Sequence, residues 1–516
     1  MDSQQELADR DFADNRGSRV SLSKVVSRGL WLYINQVVFS VLGFVYWFVI
    51  SALAGSKAVG VASSVMGLAS ILSNAVNMGM PESIKRYIGK SLGERDERSL
   101  REFFWSAFSY MVFSLAGVSI LVFILSLTGR TIYGLQPSML IFVSILISLS
   151  FSAFFVGFLT ACLETQYITY SSIISNLSRL CVGVTLVVLG LQWVGATLGL
   201  VIGSAANLML LFYFSTKLIS RYKVGFKPVP SLSATLELIR AGVVRWAPTF
   251  LLILGQWMGL LSIYEIHGEA ASGHYYIAFA IYSVILSFPL TFISLMLPIL
   301  SGMKNGRRRA ILKVTRISLV LAGVLSPTLY YYSKIPLSLI GKDYEVAHRV
   351  LSLLSLNLIP MTLVSAVNIF AYASGLYLTV LMLGLATNLP RILLYPSLVS
   401  AQGSSGAALS YLFGTFLGLI TSIAVSLKVD LKIPFLEVIL VSFIGFSIFY
   451  IISILPIPWM IALILAMTLV MVTYIKLKLL TLNDVREIMV SILPQEYIKK
   501  LYPLARPLMK MLFGEY

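Results

Sequence analysis

The chain has 516 residues, 58% of them hydrophobic and only 12% charged, with a net charge of +17 and a mean hydropathy of +0.88. A soluble domain carries about 25% charged residues, so this composition excludes a soluble enzyme and makes lipid the missing solvent. The positive excess would suggest nucleic acid in a soluble protein. Here it gathers in short loops between apolar runs, where it sets topology and meets anionic headgroups, so no nucleic-acid partner is expected.

Residues 1–27 mix acids and bases (Asp2, Glu6, Asp9, Arg10, Asp11, Asp14, Arg16, Arg19) with no short apolar core before a cleavage site, and read as a cytoplasmic tail rather than a leader. A membrane span needs roughly 20 apolar residues. By that ruler spans are expected near 28–54, 57–80, 103–127, 138–161, 166–190, 194–216, 240–264, 273–300, 313–333, 346–373, 376–400, 404–427, 434–454 and 457–477. The expected fold is therefore an all-α integral membrane protein of about 14 transmembrane helices. Residues 28–216 would form a six-helix bundle, 217–239 a cytoplasmic linker, 240–427 a second six-helix bundle, 428–478 helices 13 and 14, and 479–516 a basic amphipathic cytoplasmic tail.

Lysine and arginine test the count. With the N-terminus inside, the tails and every second loop carry about 31 of the 39 basic residues, while the opposite side has only Lys57, Arg130, Lys334, Lys342 and Arg349. Both termini are thus expected in the cytoplasm, with the chain in the cytoplasmic membrane. Cys162 and Cys181 lie in or beside apolar segments and read as small hydrophobes, not as a disulfide.

Three echoes suggest an internal repeat. Gly55–Gly60 recurs in spacing as Gly268–Gly273, Asn176-Leu-Ser-Arg179 as Asn388-Leu-Pro-Arg391, and Gly195-Ala-Thr-Leu198 as Gly406-Ala-Ala-Leu409, all at nearly one offset along the chain. Six spans per half is an even number, so the two bundles would be parallel repeats related by an axis along the membrane normal, with helices 13 and 14 as an addition.

Charge inside a span is a functional hypothesis by default. Arg179 and Arg391 sit more than ten residues inside their runs, at equivalent places in the two halves; Arg28, Arg86 and Arg245 lie nearer span ends, where snorkelling competes. Glu437 alone among the acids falls inside a span, in the first turn of the thirteenth, and none falls in the twelve helices of the bundles. An interior charged only positively points to an anionic substrate, since guanidinium matches phosphate bidentately. Asn35, Gln36, Asn77, Asn176 and Asn388 are candidate polar cavity residues, each also readable as an interhelical hydrogen bond. Nothing resembles a Walker loop, a Cys/His cluster or a Gly-rich phosphate motif, so no cofactor, no metal and no catalytic residue is expected.

The stretch Leu53-Ala-Gly55-Ser-Lys-Ala-Val-Gly60, followed by Asn77-Met-Gly79-Met-Pro81-Glu-Ser-Ile-Lys-Arg86-Tyr-Ile, resembles the opening of polysaccharide (Wzx-type) flippases of the multidrug/oligosaccharidyl-lipid/polysaccharide exporter superfamily. Met296-Leu-Pro298-Ile-Leu-Ser301 is similar to the corresponding family segment. The resemblance implies two bundles alternating between inward- and outward-open states and carrying a polyprenyl-(pyro)phosphate-linked sugar, with glycan assembly enzymes as further partners. It also implies that cavity arginines hold the pyrophosphate, the candidates by position being Arg28, Arg86, Arg179, Arg245 and Arg391. The alternatives are a multidrug or metabolite antiporter of the same superfamily and a membrane enzyme of envelope glycan assembly. The first span lacks the acidic residue that drug-exporting relatives often have, and no loop is long enough for a separate active-site domain.

Overall fold

A computed structural model describes residues 22–479 except 223, 226, 227, 304, 430, 432 and 434, with side chains from residue 40 onward apart from those of 298 and 435. The expected N-terminal tail to residue 21, the amphipathic tail from 480 and the side chains of Arg28, Asn35 and Gln36 lie outside the described residues.

In chain order the helices are α1 (Leu22–Asn77), α2 (Met80–Glu94), α3 (Glu97–Leu127), α4 (Pro137–Leu149), α5 (Ser152–Ala161), α6 (Thr165–Leu186), α7 (Gln192–Arg221), α8 (Leu232–Gly302), α9 (Arg307–Tyr331), α10 (Lys334–Ser338), α11 (His348–Ser355), α12 (Leu358–Ala373), α13 (Tyr377–Lys428), α14 (Phe435–Ile454) and α15 (Trp459–Lys476). A π turn, Val187–Leu191, joins α6 to α7, and a 3-10 turn, Lys342–Ala347, precedes α11. No β-strand is present among the described residues. Nine helical runs there are long and apolar enough to cross a membrane, or ten if the bent pair Lys342–Ser355 and Leu358–Ala373 is one crossing. The lipid-solvated, multi-pass helical class expected from composition is therefore what the chain adopts.

Several runs far exceed one bilayer thickness, at about 1.5 Å per residue. Each is interrupted by a glycine whose backbone leaves the helical region: Gly55 in α1 (φ 74°, ψ −179°), Gly190 in the π turn (φ 91°), Gly268 in α8 (φ 81°, ψ −171°) and Gly403 in α13 (φ 57°). A side chain at such φ would be strained, which is why glycine stands there. These breaks pair at one common offset along the chain, Gly55 with Gly268 and Gly190 with Gly403, and the first pair shares nearly one backbone conformation. Two further pairs of positive-φ positions fall at nearly the same offset: Arg95 with Gly306 and Leu163 with Gly375.

Chemistry at the helix ends follows the sequence. Asp96 caps α3 by accepting from the backbone N–H of Arg98 and Ser99, both at 3.1 Å, and the Ser99 hydroxyl adds a 2.6 Å bond. Those bonds hold its carboxyl below the usual carboxylate range. Between α7 and α8 the connecting loop is tied to α3: Arg101 Nε donates to the Val224 carbonyl at 2.9 Å and Ser231 N–H to Ser106 Oγ at 2.9 Å.

The two halves meet along α1 and α8, and glycine permits the contact at both ends. A methyl group added at Gly60 would run into the Glu269 carbonyl, and one at Gly273 into the Ser56 carbonyl. At the opposite end, near the basic loops, Gly79 and Gly242 bring their backbones together; a methyl on Gly242 would lie 2.7 Å from the Met78 carbonyl oxygen. Around this second contact Ser83 Oγ donates to the Leu238 carbonyl at 2.6 Å and Trp246 Nε1 to the Asn74 carbonyl at 2.7 Å. The seam is closed at both ends. The last two helices pack separately, on a core of Val320, Val441, Phe449, Ala466 and Tyr474, with Arg316 of α9 paired to Glu437 of α14 at 2.7 Å.

Candidate functional site

Arg179 and Arg391 occupy matching places on α6 and α13, each with an asparagine three residues before it, yet their surroundings differ. Arg391 has no exposed surface. Its Nη1 donates to Asn388 Oδ1 at 3.0 Å, its Nη2 to Thr415 Oγ1 at 2.7 Å and its Nε to the Tyr411 carbonyl at 3.3 Å. The guanidinium lies 3.7 Å from the centroid of the Tyr411 ring, a cation–π contact. Buried Tyr275, Tyr282 and Tyr395 are close neighbours. No carboxylate partners the charge among the described residues; neutral oxygens and ring faces hold it.

Arg179 also stacks on an aromatic ring, 3.9 Å from the centroid of Tyr46 and 5.3 Å from that of Trp47. Its Nε and Nη2, however, are shielded from solvent and have no hydrogen-bond partner among the described residues. Guanidinium donors left unpaired away from water carry a desolvation cost that the stacked rings offset only in part. The site lies at the seam: Trp47 packs edge-on against Tyr276 of α8 at 4.7 Å, and Tyr276 stacks at 6.1 Å with Trp257. Gly203 of α7 lets that helix approach, since a Cβ there would sit 2.6 Å from Arg179 Cβ.

The tyrosines beside the two arginines are exchanged between equivalent positions. In the first half Tyr46 on α1 lies over Gly183 on α6; in the second, Tyr395 on α13 lies over Gly259 on α8. By the offset that pairs Gly55 with Gly268, Tyr46 corresponds to Gly259, and by the offset that pairs Arg179 with Arg391, Gly183 corresponds to Tyr395. Each hydroxyl donates to a backbone carbonyl, Tyr46 to Ala196 and Tyr395 to Gly255 at 2.5 Å.

The remaining candidates disperse. Arg245 is half exposed and paired with Glu82 of α2 at 2.9 Å, with its guanidinium 5.0 Å from the Tyr372 ring. Its charge is balanced and joins the two halves beside Gly79 and Gly242. Arg86 stands exposed on α2, 5.7 Å from the ring of its neighbour Tyr87. Asn176 is buried and donates to the Ser172 carbonyl at 2.7 Å, while Asn388 serves Arg391. Asn77 keeps a buried, unpartnered Oδ1 at the end of α1. Sequence reasoning missed Tyr46, Trp47, Tyr276 and Thr415. The repeat offset could have found the tyrosine–glycine exchange, but stacking between distant aromatics leaves no local signal. Glu82 stands in the first turn of α2, where a helix dipole favours a carboxylate, and its pairing with Arg245 left no local signal. Among the described residues no group of three or more His, Cys, Asp or Glu could hold a metal ion.

Comparison with solved structures places this architecture. A lipid II flippase, MurJ, in an inward closed conformation superposes with a TM-score of 0.68 at 15% identity, over 86% of this chain and 97% of that one. A multidrug resistance MATE family transporter of the MOP superfamily, in an inward-facing conformation, gives 0.59 at 13% identity over 75% and 94%. A MOP superfamily transporter from Pyrococcus furiosus gives 0.56 at 12% identity over 78% and 95%. At such identities the likeness is one of fold. No curated protein matches the chain by sequence. A family model described as polysaccharide biosynthesis protein matches residues 25–304, a stretch that contains Arg179 and both seam contacts. A multi-pass membrane protein with the fold of the MOP transporters, the chain belongs to the polysaccharide biosynthesis protein family.

Proposed function

We propose that the protein flips a polyprenyl-(pyro)phosphate-linked oligosaccharide across the cytoplasmic membrane by alternating access, with both termini in the cytoplasm. Dividing each glycine-broken run in two and counting the bent pair as one crossing gives fourteen spans, arranged as two six-helix repeats and a C-terminal pair. The basic loops then lie on the side where Glu82 and Arg245 close the seam. The observation that carries the reading is Arg179: a seam cation with two unpaired donors and no carboxylate on it. Opening the seam would present those donors to a phosphate, and each charge-assisted hydrogen bond is worth about 1.5–3 kcal/mol. A cationic drug would meet repulsion at the same place. Family membership supports a glycan as cargo and glycan assembly enzymes as suppliers.

The test is flipping of a fluorescent polyprenyl-pyrophosphate glycan in proteoliposomes. Wild type should flip it, and Arg179→Gln should lower the rate by roughly tenfold to a hundredfold, the loss of one or two such bonds. No flipping by wild type, together with ion-driven efflux of cationic dyes, would transfer the protein to the antiporters.

A further inference from the structure

The first half contains a pocket lined by Ser204, the residue after the glycine that packs on Arg179, and the second half has aromatic residues at two of the corresponding places. Its cavity, about 160 Å³, lies where α1, the break between α4 and α5, and α7 converge; its polar lining is Ser70, Ser150, Ser152, Ser204 and Asn207. None of these side chains is charged. Ser70 and Ser150 donate to carbonyls of their own helices, at 2.8 Å and 2.9 Å. The side chains of Ser152, Ser204 and Asn207 make no hydrogen bond with any described residue, so two hydroxyls and an amide face the cavity unused. In a membrane interior such groups are expensive unless something meets them.

The position matters as much as the lining. Gly203 packs on Arg179 Cβ, Ser204 follows it, and Asn207 is about 6 Å beyond Gly203 along α7, roughly one turn toward the basic loops. Ser70 is three residues from Gly67, whose Cβ would touch Trp257 across the seam at 2.7 Å, so the pocket borders the path that opening would create. Met66 and Ala69 also line the pocket, and their counterparts in the second half, at the offset of the glycine breaks, are Phe279 and Tyr282. Those rings pack on Tyr411 at 5.6 Å and 5.9 Å. On α7 and the end of α13, at the offset that pairs Gly195 with Gly406, the counterpart of Ser204 is Thr415, engaged by Arg391, and that of Asn207 is Gly418. The cavity therefore follows from which residues stand in this half.

We infer that this pocket seats the sugar ring nearest the phosphate of a lipid-linked glycan whose phosphate lies at Arg179. The inference rests on the flippase reading and adds a subsite to it. A cavity of roughly 150 Å³ accepts one six-membered ring, and when lined by hydrocarbon it stays dry. This one has nearly that size and presents donors and acceptors that match ring hydroxyls or an acetamido group. The absence of charge suits a neutral saccharide, leaving the anion to the arginine.

The experiment measures binding of two probes to the full-length protein in nanodiscs: bare polyprenyl pyrophosphate, and the same lipid bearing one hexose or one N-acetylhexosamine. Wild type should prefer a glycosylated probe by about tenfold or more, the scale of one or two hydrogen bonds. Asn207→Leu, which removes the amide, and Ala69→Phe, which fills the space as the second half does, should each bring that ratio to within about twofold. Thermal unfolding identifies a variant that has failed to fold, and the other then decides. If wild type binds both probes equally, or both folded variants keep the preference, the pocket holds only water and the inference falls while the flippase reading stands. If wild type binds neither probe, both fall.

Discussion

The first and second halves of the chain each bury an arginine three residues after an asparagine and treat it in opposite ways. Around Arg391 every nitrogen of the guanidinium donates to an oxygen, a tyrosine ring covers its face, and nearby tyrosines fill the space. Around Arg179 the ring is present but no oxygen of the described residues meets Nε or Nη2: Gly203 stands one residue before Ser204, which lines a cavity and does not bond the guanidinium. A cation that is fully satisfied by its own protein is a structural member. One that is stacked but keeps two nitrogens unbonded is held ready for something else. The difference teaches that two equivalent positions can carry the same costly group while only one of them is absorbed into the fold.

The largest expected effect that tests this contrast is on stability, with opposite signs. Arg391→Met leaves Asn388 and Thr415 without their donor in a fully buried place; each such loss costs about 1–3 kcal/mol, so the unfolding temperature should drop by several degrees. Arg179→Met removes unpaired buried donors and should leave the unfolding temperature unchanged or raise it. Thermal unfolding of the two variants in one detergent reads both. A comparable fall for Arg179→Met would mean that its nitrogens are satisfied in the native protein, and the distinction between the halves would go.

A smaller effect sharpens it. Tyr46→Phe and Tyr395→Phe each delete one hydroxyl that donates to a neighbouring helix carbonyl, at exchanged positions of the two halves. Both should destabilise by about 1 kcal/mol. Only Tyr46→Phe should also change flipping, because its ring carries the unbonded arginine and the hydroxyl fixes that ring. Equal losses of transport in both variants would argue that the hydroxyls act through general stability alone.

Much of this was legible beforehand, and for physical reasons. Long apolar runs and one-sided basic loops report a membrane fold directly, because lipid thickness and headgroup charge impose them. The glycines at the breaks in α1 and α8 were visible as spacing, and the offset between them reappears in the matching backbone conformations at Gly55 and Gly268; the breaks at Gly190 and Gly403 were not singled out. Arg179 and Arg391 stood out because buried charge is rare. What could not be read was their fate. Whether a guanidinium finds Thr415 on the next helix, or whether Arg245 reaches Glu82 from another half of the molecule, depends on tertiary approach that no local pattern encodes. Arg86 and Arg245 stood beside Arg179 as candidates for holding a pyrophosphate, and the structure separates them by exposure and by partner.

The smallest predicted effect concerns the end of the seam where that second pairing lies. Glu82 holds both Arg245 at 2.9 Å and Lys85 at 2.7 Å, and all three side chains are partly exposed. Exposed ion pairs contribute about 0–1 kcal/mol and are screened by salt. Glu82→Gln should therefore shift the balance toward the open seam by no more than about fivefold, and by less at high ionic strength. The reporter is Asn74→Cys, at a position whose carbonyl accepts from Trp246 at the same end, in a background lacking Cys162 and Cys181. Opening then reads as a faster reaction of the new thiol with a water-soluble reagent. The Gly79–Gly242 contact carries more of the closure than the ion pair does, because bulk there collides with backbone. Gly242→Ala should accordingly open the seam more than Glu82→Gln and without salt dependence. The reverse order would assign the closure to charge and leave the glycine contact a passive consequence of it.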